Sequence, residues 1–174
     1  MSLLAADINN YLKISKGIEN PLKREMVLAC FSYRVVPLIF LRGSQYFYRF
    51  KYLKFLSYFF YAINLFIFKI EIPPRVIIGG GFFMPHPQNI VCGAKIIGEF
   101  CTLYQGVTLG AKRLDFNFLE DLRPVIMSRV VIGTNAVIIG SIVIGENAKI
   151  APNSTVMCNV PAGKIIFGNH VKGV

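Results

Sequence analysis

The chain has 174 residues, 54% of them hydrophobic and only 16% charged, with a formal net charge of +10. That length fits one domain with a sizeable core, and the composition excludes a disordered or collagen-like chain. The four cysteines (Cys30, Cys92, Cys101, Cys158) form no CxxC pair, and with two histidines they make no ligand set for zinc, so no metal is expected.

The N-terminal stretch MSLLAADINN lacks the basic start and apolar run of a secretory signal. A cytosolic chain with reduced thiols is therefore expected. Residues 1–70 hold ten Lys/Arg against three Asp/Glu, whereas residues 71–174 hold nine against six. The basic excess is interleaved with Tyr and Phe. It fits a nucleic-acid surface, an anionic membrane, or a helix pair with solvated cations. No nucleic-acid motif accompanies it, so no nucleic-acid partner is expected.

The apolar stretch Met26–Leu41 reads as helix, and Gly43 is expected to break the chain. A second helix is expected from Ser44 to Phe68. On it Lys51, Lys54, Ser57, Tyr61 and Asn64 form one narrow polar stripe on an otherwise apolar cylinder. The uncharged run Phe55–Phe68 is 14 residues long. That is short of the roughly 20 needed to cross a bilayer, so segment 42–69 is expected to pack on a partner or lie in the membrane interface.

From residue 70 onward a repeat takes over. Ile126, Ile132, Ile138, Ile144, Ile150 and Val156 recur every six positions, and Val130, Ala136, Ile142, Ala148 and Ser154 form a second series in the same register. Six is neither a helical period nor a strand alternation. It fits a triangular parallel solenoid in which each hexad supplies one short strand and one corner, with a small residue such as Gly133 or Gly145 allowing the turn. The frame continues back through Leu109, Leu103, Ile97, Ile90, Met84, Ile78 and Ile72. Between Leu109 and Ile126 it is interrupted, which makes 111–124 an inserted loop. The expected organisation is a helical, basic and aromatic segment over 1–69 and a solenoid over 70–174.

Several segments carry a resemblance: FKIEIPP (68–74), HPQNIV (86–91), YQGVTLGA (104–111), the hexads of 130–156 and GNHVK (168–172), with YRVV (33–36) ahead of them. Together they resemble the hexapeptide-repeat acetyltransferases of the serine acetyltransferase branch. Within that branch, the short N-terminal segment and the EIPP and PHPQ boxes look closest to the exopolysaccharide or capsule O-acetyltransferases of the colanic acid type. The resemblance implies a mainly β fold, a left-handed parallel β-helix behind short helices. It also implies a homotrimer with active sites between protomers and acetyl-CoA as acyl donor.

By that resemblance His86 is the general base. An alcohol must lose its proton as it attacks a thioester, and imidazole is suited to take it near neutral pH. Glu71 is expected to orient the imidazole as the carboxylate of a dyad. It lies fifteen residues earlier, nearly one turn of an eighteen-residue coil. Gly110, Ala111, Thr134 and Pro152 are expected along the pantetheine arm, and Lys172 at the CoA phosphates. His170 is expected near the CoA end without a catalytic role.

Arg123 and Pro73 stand where serine acetyltransferases have histidines. Arg123 fits either an acidic acceptor or a loop salt bridge with Glu120 or Asp121. The two departures favour a carbohydrate acceptor, with the enzyme peripheral at the inner face of the cytoplasmic membrane. Serine acetylation and a non-catalytic scaffold remain the alternatives.

Overall fold

The computed structural model describes residues 2–115 and 117–170. Helix α1 (Leu3–Lys16) starts where the Ser2 hydroxyl accepts the Ala5 amide, and it ends at Gly17 in a left-handed conformation. Helix α2 (Lys23–Ala29) opens with the Glu25 carboxylate accepting the Leu22 amide. Turns over 30–35 lead to α3 (Val36–Tyr48), which carries Pro37 in its first turn, where a missing N–H costs nothing. A 3-10 turn (Lys51–Leu53) joins α3 to α4 (Lys54–Ile63), whose last residues wind into a π turn, Asn64–Phe68.

Two expectations about this region change. Met26–Leu41 is not one helix, and Gly43 does not break the chain: it lies inside α3. A Cβ on Gly43 would meet the Phe60 ring at 3.2 Å, so the glycine serves the close crossing of α3 and α4. The polar stripe of α4 also faces inward in part. Ser57 donates to the Ser44 carbonyl at 2.7 Å, and Asn64 donates to the Pro37 carbonyl at 3.0 Å, both buried. Hydrogen bonds across the crossing satisfy these groups, and the aromatic side of α4 is left outside.

Short strands then follow in hexad register: β1 (Ile70–Glu71), β2 (Ile77–Ile78), β3 (Ile90–Cys92), β4 (Ile96–Ile97), β5 (Thr102–Leu103), β6 (Thr108–Gly110), β7 (Val125–Ile126), β8 (Val131–Ile132), β9 (Val137–Ile139), β10 (Val143–Ile144), β11 (Lys149–Ile150), β12 (Thr155–Val156), β13 (Ile165–Ile166) and β14 (Asn169–His170). They form three parallel sheets, ordered β1-β3-β6-β9-β12-β14, β10-β7-β4-β2 and β13-β11-β8-β5. Val125 pairs with Val143 and Val131 with Lys149, eighteen residues on in each case. Three hexads therefore make one turn of a left-handed parallel β-helix. Thr108 pairs with Val137, twenty-nine residues on, because the inserted loop lengthens that coil.

The inward aliphatics make the prism. Met84, Ile90, Leu103, Leu109, Ile126, Ile132, Ile138 and Ile144 are fully buried. Each contributes about 1.5–3 kcal/mol by leaving water. The corner glycines act differently from expectation. Their φ values are ordinary, but a Cβ on Gly133 would sit 2.7 Å from the Pro152 nitrogen, and one on Gly145 2.4 Å from the Ala162 nitrogen. They allow coils to stack. The left-handed turn falls two positions later, on Asn135, Asn147 and Asn153, a residue type that tolerates that conformation.

The helices close the first coil of the prism. Arg42 on α3, only 7% exposed, pairs with the fully buried Asp7 of α1 at 2.7 Å and donates to the Ile78 and Gly79 carbonyls. Asp7 also accepts the Phe82 amide, Asn10 donates to the Gly81 carbonyl, and Gln45 donates to the Val76 carbonyl. A solenoid needs a cap where its repeat has no neighbour, and these polar bonds supply one.

Candidate active site

The sheet β1-β3-β6-β9-β12-β14 organises the site. Its strands are entered from a corner that stacks His86–Asn89, Tyr104–Gly106, Gly133–Asn135 and Ala151–Asn153 over one another. Hydrogen bonds tie these layers: the Gly106 amide donates to the Gln88 carbonyl, Asn135 to Gln105, and Asn153 to Thr134. The strands leave toward a second edge bearing Gly93, Gly110 and Ala111.

His86 is exposed on the entry corner and lines a cavity of about 230 Å³ with Tyr33, Lys69, Gln88 and Asn89. Pro85 and Pro87 flank it. Arg34 Nε donates to the Pro85 carbonyl at 2.9 Å, so the turn before α3 holds the backbone next to the imidazole. The Tyr104 ring lies 6.5 Å from the His86 ring, centroid to centroid. Tyr33, Arg34 and Tyr104 were not singled out as site residues in the sequence. YRVV was visible there only as a matching string, because nothing local says that it folds onto a box fifty residues away.

Glu71 is exposed on β1, beside Val91 in register. No hydrogen bond joins it to His86 among the described residues. The first coil explains why: Ile70 pairs with Ile90, twenty residues on and not eighteen, so fifteen residues leave His86 on the corner before Glu71's register partner. Glu71 instead lines a groove of about 510 Å³ with Gly93, Gly110, Ala111, Arg113, Arg123 and others. Burial, followed by the Glu71 carboxylate, pushes the Tyr61 phenol above its ordinary value.

Arg123 is 8% exposed and engaged inside the inserted loop. Its guanidinium pairs with Asp115 at 2.8 Å, donates to the Gly93 carbonyl at 2.9 Å and lies 3.7 Å above the Phe118 ring. The acidic partner is Asp115; Glu120 pairs with Lys95 instead. Burial pushes the Asp115 carboxyl up. Arg123 and the amides of Leu119 and Asn117 outweigh it and hold the group below the ordinary carboxylate value. Arg113, by contrast, is exposed at the groove.

The four residues expected along the pantetheine arm are divided. Thr134 and the exposed Pro152 lie on the entry corner with His86, one coil apart, while Gly110 and Ala111 lie on the far edge, Gly110 pairing with Ile139. The length of a strand separates the two sets within one chain. His170 is on β14, paired with Val156, and Lys172 lies outside the described residues. No group of three His, Cys, Asp or Glu that could hold a metal occurs among the described residues.

Residues 123–157 match the family described as bacterial transferase hexapeptide (six repeats), in keeping with the hexad-built β-helix. The similar proteins and solved structures are serine acetyltransferases. The chain is 36% identical over 110 residues to a serine acetyltransferase of Helicobacter pylori, covering 63% of each protein. It is 38% identical over 110 residues to a plasmid-borne serine acetyltransferase of Synechococcus elongatus, covering 59% of this chain and 34% of that one. The crystal structure of the Neisseria gonorrhoeae serine acetyltransferase superimposes with a TM-score of 0.80 at 26% identity, over 95% of this chain and 61% of that one. The chain thus spans under two thirds of the length of these relatives.

These similarities correct the expected carbohydrate acceptor. The similar proteins and structures are serine acetyltransferases, which overturns the exopolysaccharide and capsule assignment. The departure at Arg123 does not speak for a carbohydrate acceptor, because that side chain is engaged in bracing the inserted loop.

Proposed function

We propose that the chain transfers an acetyl group from acetyl-CoA to the hydroxyl of serine, with His86 as general base. The observation that carries this reading is the exposed imidazole on the entry corner, held by Arg34 through the Pro85 carbonyl. In the reaction His86 takes the serine hydroxyl proton as that oxygen bonds to the thioester carbonyl carbon. The carbon–sulfur bond then breaks, and the imidazolium returns its proton to the CoA thiolate.

The exposed Arg113 supplies the cation that a serine carboxylate requires. Glu71 completes the acceptor side of the groove, and Arg123 positions the loop that carries Arg113. A backbone amide at Gly110–Ala111 is the proposed oxyanion donor.

The two residue sets on opposite edges of one sheet fit a homotrimer. There Thr134 and Pro152 on one protomer would face Gly110 and Ala111 on the next, with the pantetheine arm between them and Lys172 near the CoA phosphates. Residues 1–69 act as the cap and 70–174 as the transferase unit. The cytoplasm, where acetyl-CoA is made, is the proposed location.

The test is to supply acetyl-CoA with and without L-serine, follow free thiol and identify the product by mass. Serine-dependent thiol release with O-acetylserine is expected. Thiol release independent of serine, or none, overturns the reading.

A further inference from the structure

The outer face of α4 has no use in the acetyl transfer. Tyr52, Phe55, Phe59 and Phe66 follow helical spacing onto one side of the 3-10 turn, α4 and its π turn, and they are 86%, 71%, 59% and 71% exposed. Tyr58 extends the patch. The opposite side carries Ser57 and Asn64, whose hydrogen bonds to α3 fix the helix in this orientation. Because of those bonds, turning the aromatics inward would leave buried polar groups unpaired.

Charge identifies what the face meets. From residue 26 to residue 70 the chain has six Lys/Arg and no Asp or Glu. Arg42 is buried with Asp7, and Arg34 donates to Pro85. Lys69 lines the His86 cavity, and Arg49, Lys51 and Lys54 remain exposed at the N-terminal end of α4. Lys54 lies 4.9 Å from the centre of the Tyr48 ring. An aromatic ridge rimmed by cations, with no anion along the whole segment, is complementary to a negatively charged lipid surface. Rings then sit among the acyl chains, and the Lys and Arg stems reach back to the headgroups. No helix among the described residues is long and apolar enough to cross a membrane, so the geometry is one of lying on the surface.

We infer that this face of the 3-10 turn, α4 and its π turn docks the protein peripherally on anionic phospholipid. The inference is independent of the acetyl transfer. It narrows the membrane-facing part of segment 42–69 to residues 49–66, because Arg42 and Ser44 are buried and residues 67–69 line the His86 cavity.

The test is co-sedimentation of the full chain with phosphatidylcholine vesicles, with and without phosphatidylserine. Binding that requires phosphatidylserine and is released by high salt is expected. Replacing Arg49, Lys51 and Lys54 together by Ser should lower the partition coefficient about a hundredfold. Phe55→Ser with Phe59→Ser should also abolish pelleting and leave serine-dependent thiol release unchanged. Wild-type protein that stays in the supernatant at low salt, or that binds neutral vesicles equally, overturns the inference. Without lipid, sedimentation equilibrium should give the same mass for parent and double variant. A lower mass for the variant would show that a second copy covers this face, and would also overturn it.

Discussion

Asp7 is buried under the prism cap with Arg42, and its environment works in two directions. Burial pushes the carboxyl above the ordinary value, while Arg42 and the Phe82 amide oppose that shift. Removing one partner strands the other charge in a buried site. Asp7→Ala should therefore cost about 3–5 kcal/mol in urea unfolding, and a loss below about 1 kcal/mol would contradict the capping role. The thiols offer a second residue-scale check. Burial pushes Cys92 up to about 12 and Cys101 up to about 11, whereas Cys30 and Cys158 are half-buried. At neutral pH a thiol reagent should modify Cys30 and Cys158 in the native protein, and Cys92 and Cys101 only after unfolding. Rapid reaction at all four would contradict this packing.

The inserted loop shows how one ion pair organises an element. Asp115 accepts the Asn117 and Leu119 amides while pairing with Arg123. Its folded value lies below the ordinary carboxylate value, so the pair stabilises the loop above the unfolded carboxylate range and is lost as pH falls through the lower folded value. The Leu119 amide resonance should titrate at a pH below that of an ordinary carboxylate, and a midpoint at or above the ordinary value would contradict the clamp. The loop's limits were legible in the sequence as a broken hexad, and the prism's inward residues were legible as a sixfold period. Its clamp was not, because Asp115 is eight residues from Arg123 with no periodic signature. The break between α3 and α4 was missed for a related reason. A glycine reads as punctuation until the aromatic ring packed against it is known. The polar stripe of α4 was visible, but a helix wheel alone does not say that hydrogen bonds across a crossing turn Ser57 and Asn64 inward.

At the scale of the molecule, helices cap one end of a left-handed β-helix and also hold the backbone beside His86, through Arg34. Stability and the candidate site thus share the same contact region. The sequence pointed to His86 as general base, and the structure leaves its imidazole exposed on the entry corner. It did not foresee that Thr134 and Gly110 fall on different edges, because that depends on strand register. The most direct measurement is thiol release from acetyl-CoA with serine by His86→Ala, compared with the parent at matched melting temperature and mass. The account predicts a fall of about 10²–10⁴-fold, the usual contribution of a positioned base. Turnover within about twofold of the parent, far inside that range, would contradict it.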